Sequence, residues 1–254
     1  MPIVCIDAGH GAETAGKRSP DGTYLEHEFN LDVARRIRDL LTRRGVKVVM
    51  TRDDTRDVSL SERCRISNAA KADAFLSIHT NAAGDGWSTA EGWSAHIIAR
   101  GGNAEKLAGL IHDIAIPTLG CKDRGISVDN FQVLRDTDAP AVLIEHGFHT
   151  SREEVERLKT GWYRERCAQS DAQGILAFFG LNGAEPEDGI AAAATVRQTV
   201  YNAAGQAEPG RYIDSGDLCR IGGITPGLLI EVEYPAGAGM RKAYVKSLEG
   251  FRAG

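Results

Sequence analysis

Two histidines and two glutamates stand where a buried run hands a polar group to an open edge. His10 follows Ile3-Val4-Cys5-Ile6 and its Asp7-Ala8-Gly9 ending, and His79 follows Ala74–Ile78. Glu145 terminates the fully apolar Ala141-Val142-Leu143-Ile144, and Glu26 lies just before an amphipathic stretch. Functional groups in open α/β sheets collect beyond the carboxyl ends of such strands. His10, Glu26 and His79 form a donor set suited to one catalytic Zn2+, which commonly keeps three His or Glu ligands and an open position for water. The chain carries no H-E-x-x-H motif, so such a site has to be assembled from distant segments. Glu145, costly to desolvate unless paired, could take a proton from a water and pass it to a leaving amine. Plainer roles stay open from these residues alone: His10 as a loop cap, and Glu145 as a turn ligand.

The remaining polar candidates are weaker. Asp7 and Asn81 neighbour two of the histidines and could orient imidazoles by hydrogen bonds. His146 and His149 form an H-x-x-H pair on a turn and read as supporting or solvent groups rather than a second metal site. His96 and His112 read as structural, while Trp87 and Trp93 bracket a loop that could face a glycan or simply pack. Gly9 and Gly11 are expected to let the backbone bend closely around a bound metal.

The elements that must position these groups follow from periodicity. Ile3–Ile6, Val46–Met50, Ala74–Ile78 and Trp93–Ala99 read as strands, with amphipathic helices over Asn30–Arg44 and from a Ser59/Glu62 capping box to Lys71. Asn103–Ile116 is expected as a helix closed by Pro117, residues 120–130 as a polar loop, and Phe131–Arg135 as a short strand. Ala141–Ile144 is a further strand, Ser151 with Glu154 a second capping box, and Trp162–Phe179 a last helix. Strands alternating with helices imply an α/β fold: a largely parallel twisted sheet flanked by helices. This first domain is expected to span residues 1–180.

Residues 181–190, with Gly183, Pro186, Gly189 and three acids, read as a linker. Beyond it the texture changes. Val196–Tyr201, Tyr212–Ile213, Leu228–Tyr234 and Ala243–Val245 are short β-prone pieces between turns, so residues 191–254 are expected to form a small all-β, barrel-like domain. Ala191–Ala194 stands out only as a low-complexity tract.

Composition excludes several classes. The 254 residues carry a formal net charge of −5, which argues against a phosphate-binding face and hence against nucleic acid as a partner. Five scattered cysteines without C-x-x-C spacing read as free thiols. No window approaches the length of a membrane span, and the amino terminus enters a strand without a signal-like apolar region. The expectation is a chain made in the cytoplasm that reaches any outer target by lysis or assisted release. Nothing in the pattern specifies an oligomeric state.

Four dispersed motifs together carry a family resemblance. Ile6-Asp7-Ala8-Gly9-His10-Gly11, Glu26 with Asn30-Leu31, Ser77-Ile78-His79-Thr80-Asn81, and Val133-Leu134-Arg135 with Pro140–Phe148 resemble the zinc-dependent N-acetylmuramoyl-L-alanine amidases in order and approximate spacing. The resemblance covers residues 2 to about 180. It implies His10, Glu26 and His79 as zinc ligands, Glu145 as the catalytic glutamate, and peptidoglycan as the substrate, cut between N-acetylmuramic acid and L-alanine. Ala12 replaces a common glycine, and the loop carries Glu13 and Lys17-Arg18-Ser19-Pro20; these departures touch the rim and bear on stem-peptide recognition. The loop variant resembles one seen among phage and gut-bacterial members, so the chain as a whole is endolysin-like, and the C-terminal segment faintly resembles SH3-like wall-binding modules, notably in Arg241-Lys242-Ala243-Tyr244-Val245. Two alternatives are kept: an inactive wall-binding protein, and a zinc peptidase cutting within the stem peptide.

Overall fold

The computed structural model describes residues 1–181, 190–215, 217–224, 229–236, 239–247 and 251–253. The chain divides into two compact units, Met1–Asn182 and Gly183–Gly254. The first runs β1 (Ile3–Ala8), α1 (Glu26–Arg43), β2 (Lys47–Met50), α2 (Leu60–Ala69), β3 (Ala74–Asn81) and β4 (Trp93–Ile97). It continues with α3 (Asn103–Leu119), β5 (Asp123–Val128), α4 (Gln132–Arg135), β6 (Ala141–Phe148), α5 (Arg152–Leu158) and α6 (Gly161–Phe178).

Among the described residues these strands form a six-stranded sheet in the order β2-β1-β3-β6-β4-β5. All neighbours are parallel except β4 with β6, which run antiparallel. The apolar runs lack alternation because both faces are covered. Val4, Ile6, Leu76, Ile78, Val142 and Ile144 pack into one core with side chains of α1, α3 and α6. Cys5, Phe75, Ala141 and Leu143 form a smaller core on the other face with Cys64 of α2 and Val133 and Leu134 of α4. Register then fixes the site: Asp7 pairs with Ser77, Ser77 with Leu143, and His79 with Glu145. The central strands therefore deliver their polar endings side by side.

Several local expectations are corrected. Much of the expected 120–130 loop is the edge strand β5, whose mostly exposed or half-buried side chains leave no apolar run to read. Phe131–Arg135 is a helical turn rather than a strand. Helix α3 nevertheless passes through Pro117 to Leu119. The stop is Gly120, left-handed at φ 57°, whose N–H donates to the Ile116 carbonyl. Ser59 does cap α2, accepting from Glu62 N at 3.3 Å, but Ser151 makes no cap bond. Glu154 is drawn instead to the Phe148 N–H at 2.6 Å and the Gly92 N–H at 3.1 Å, tying α5 to the ends of β6 and β4. No helix among the described residues is long and apolar enough to cross a membrane. All five cysteines are free thiols.

The second unit is all-β. Its strands are β7 (Ile190–Ala194), β8 (Gln198–Tyr201), β9 (Ala207–Ile213), β10 (Leu218–Ile224), β11 (Ile230–Ala236), β12 (Gly239–Val245) and β13 (Phe251–Ala253). Among the described residues they pair antiparallel as β13-β7-β10-β11-β12-β8-β9. The alanine tract is thus strand β7. Val200, Ile213, Val232, Tyr234 and Val245 belong to a separate core of this unit. Of the expected linker, residues 182–189 lie outside the described residues.

Candidate active site

The turn after β1 is held by several buried side-chain donors. His10 itself takes the left-handed conformation, with φ 56°, a region that only glycine enters without strain. The carbonyls around it are held by buried donors. Arg52 donates to Ala8 O at 2.8 Å and Gly9 O at 3.0 Å, Arg63 to Ala8 O at 2.7 Å and His10 O at 3.2 Å, and Asn30 to Gly9 O at 3.0 Å. Both arginines are at most 2% exposed, although in the sequence they read as surface charges. The flanking glycines serve close approach rather than the bend itself. A Cβ on Gly9 would lie 2.2 Å from His79 Cε1, and one on Gly11 would lie 2.5 Å from Asp57 Cα.

Glu26 is the hub. It opens α1 rather than preceding it, and its Oε1 lies 3.5 Å from His10 Nε2 and 3.1 Å from His79 Nδ1, while accepting the Thr80 N–H at 3.1 Å. Donor atoms of His10, Glu26 and His79 all lie within 4.8 Å of one another, the only such cluster of three or more among the described residues. The adjacent His27 and Glu28 point elsewhere on the helix, Glu28 to solvent. Burial depresses His10 to about 3, against the raising effect of Glu26, which leaves its ring neutral with a free lone pair. Burial works against ionisation of Glu26, but the His79 hydrogen bond and the surrounding imidazoles outweigh it and keep the carboxylate charged. Glu26 Oε2 is buried and has no hydrogen-bond partner among the described residues. An orphaned carboxylate oxygen beside two imidazoles fits a dication, and His2Glu is a common zinc donor set.

The supporting groups match the expectation only in part. Asp7 reaches the histidines only through Ser77: its carboxylate accepts from Ser77 Oγ, Thr51 Oγ1 and Arg63 Nη1, each at 2.6 Å, and Ser77 Oγ sits 3.1 Å from His79 Nε2. Burial opposes its charge, yet Arg63 and the two hydroxyls hold its pKa low. The Asn81 carboxamide turns away, accepting from Ala82 N at 2.7 Å, so it orients no imidazole. His149 takes the supporting place. It is buried, 3.1 Å from Thr80 Oγ1 and 3.8 Å from Glu26 Oε2. His146 is fully buried against Asp171 at 3.0 Å and belongs to the core. Neither is a solvent group. His96 and His112 are tied to Asp129 and Asp123 and are not among the clustered donors, and Trp93 is core while Trp87 stacks under Arg152.

Glu145 faces the cluster from β6, opposite His79 in the ladder. Its Oε2 is buried with no partner among the described residues. Burial lifts its pKa well above the usual carboxylate range, the charge of Glu26 adds to the rise, and Lys17 pulls it back. His10, His79 and Glu145 open into a groove of about 730 Å³ with an apolar wall of Val58, Leu60 and Phe131. Sequence reading could not find Ser77, Thr80, Arg52 or Arg63, because nothing in a linear pattern marks which serine or arginine will be buried. The arrangement pairs a three-donor cation cradle with a nearby proton-accepting carboxylate, the equipment for attack by an activated water.

A family model described as N-acetylmuramoyl-L-alanine amidase matches residues 4–177. The chain is 31% identical to the N-acetylmuramoyl-L-alanine amidase LytC of Bacillus subtilis (strain 168) over 69% of its own length and 35% of the relative's, so it spans about a third of that protein. It is 34% identical to the endolysin of Bacillus phage SPP1, covering 70% of this chain and 66% of that one. Among solved structures, the catalytic domain of CwlV, an N-acetylmuramoyl-L-alanine amidase from Bacillus (Paenibacillus) polymyxa var. colistinus, superposes with TM-score 0.67 at 33% identity, over 71% of this chain and 99% of that one.

Proposed function

This chain belongs to the N-acetylmuramoyl-L-alanine amidase family, and on that premise we propose that its first unit hydrolyses the amide between N-acetylmuramic acid and the L-alanine of the peptidoglycan stem peptide. The carrying observation is the convergence of His10, Glu26 and His79 donors with Glu145 directly across the ladder from His79. His10, Glu26 and His79 would hold one zinc ion, which when bound supplies Lewis acidity at near-neutral pH. His10 presents a neutral ring and Glu26 a charged carboxylate, so neither needs to shed a proton on loading. Glu145 accepts the proton of the attacking water and returns one to the departing alanine nitrogen, leaving a muramoyl carboxylate and a free amine. Its raised pKa suits the donating half of that cycle.

The intact set of four groups favours an enzyme over a merely wall-binding homologue. For the second unit we propose wall binding by an SH3-like module, closing as a small barrel; its own hydrophobic core supports an independent role. Mass spectrometry of digested peptidoglycan tests the activity. Stem peptides with new free L-alanine amines, absent with Glu145→Ala, are expected. Intact muramoyl–alanine linkages, or new termini inside the stem peptide, would refute it.

A further inference from the structure

The groove carries one charge the mechanism leaves over. Its lining cations are Arg63 and Lys17. Arg63 is fully engaged by Asp7 and by the carbonyls of Val58, Ala8 and His10. Lys17 has no ion-pair or hydrogen-bond partner for its ammonium among the described residues, although it is only partly exposed and lines the groove.

Its segment is held in place. Lys17 O accepts the Glu26 N–H at 3.0 Å, Arg18 bridges to Leu25, and Thr14 in the same loop donates to Asp57 Oδ2 at 2.6 Å. The loop is therefore anchored at the first residue of α1 and again at the segment before α2. Lys17 lines the same groove as His10, His79 and Glu145. Of the groove's carboxylates, Asp7 is paired with Arg63, Asp57 takes the Thr14 hydroxyl, and Glu145 is occupied by proton transfer in the mechanism above. None of these carboxylates is paired with Lys17, whose ammonium is left to meet a ligand's anion in the groove.

We infer that Lys17 is a specificity-determining residue that selects stem peptides bearing a free carboxylate within a residue or two of the scissile amide. The inference rests on the amidase reading and names the substrate class for that same groove. Val58, Leu60 and Phe131 give the same groove an apolar surface, suited to the small methyl side chains next to the bond, while Lys17 meets the charged group. A charge-assisted hydrogen bond in a half-buried groove gives about a tenfold preference.

The test uses the full chain loaded with zinc and two synthetic muramoyl tripeptides, identical except that the second residue, a glutamate joined to the third through its side-chain carboxyl, carries a free α-carboxylate or its carboxamide. The wild type is expected to prefer the carboxylate about tenfold in kcat/KM, mostly through KM. Lys17→Met should bring the two substrates to within about twofold, and Lys17→Arg should keep the preference, since the charge is retained. A wild type that does not discriminate, or a Lys17→Met loss equal on both substrates and confined to kcat, overturns the assignment; the latter would make Lys17 an electrostatic partner of Glu145. Failure of the wild type to release L-alanine amines from either substrate would instead refute the amidase reading, and this one with it.

Discussion

Replacing Arg63 by methionine probes the support of the whole site. Arg63 is 2% exposed and donates to Val58 O at 2.8 Å, Ala8 O at 2.7 Å, His10 O at 3.2 Å and Asp7 Oδ1 at 2.6 Å. Methionine fills much of the space but leaves Asp7, 1% exposed, with only the Ser77 and Thr51 hydroxyls. Removing one partner of a buried ion pair costs about 3–5 kcal/mol. The sign with pH follows from Asp7, whose pKa is depressed in the folded protein despite burial, chiefly by Arg63. Its stabilisation is present above the unfolded carboxylate pKa of about 4 and is lost as pH falls through the lower folded value. In the variant, burial dominates and Asp7 prefers its proton, so the penalty shrinks on acidification. Urea unfolding of the metal-free protein gives the measurement, since bound metal would add its own linkage. Trp87, Trp93 and Trp162 all lie in the first unit, so tryptophan fluorescence reports that unit alone. Adding Asp7→Asn should recover at least about 1 kcal/mol of the loss, as expected when coupled neighbours are replaced together. A penalty below about 1 kcal/mol near pH 7, or strict additivity of the two substitutions, would show that Arg63 and Asp7 are not a mutually dependent pair.

Other consequences are more direct. Gly9→Ala places a Cβ 2.2 Å from His79 Cε1 and should weaken zinc binding more than tenfold, which titration calorimetry will show; unchanged affinity would mean the His79 ring can move aside freely. Glu145→Gln should lower kcat by about 10² to 10⁴ while zinc content measured by atomic absorption stays at the wild-type level. Chelation should abolish muramoyl-amide cleavage, with recovery on adding zinc; full activity of a demonstrably metal-free sample would remove the metal from the reading. Deleting residues 190–254 should reduce activity on intact walls and spare small soluble muropeptides, whereas equal loss on both would count against a wall-binding role.

The frame of this protein was legible in its residues. Apolar runs ending in His10, His79 and Glu145 announced buried strands with chemistry at their ends, because a central strand covered on both faces must be apolar until it emerges. Local signals failed where tertiary context overrides them: β5 at a sheet edge has no apolar run, and Glu154 left its expected cap for the Phe148 and Gly92 N–H groups. Which polar groups meet was set by packing and register. The left-handed turn falls on His10 rather than on its glycines, Ser77 stands between Asp7 and His79, and His149 rather than Asn81 lies beside Glu26. Such contacts depend on strand register and on the N-terminus of α1 lying against β3, and a one-residue shift in either would turn the same side chains the other way.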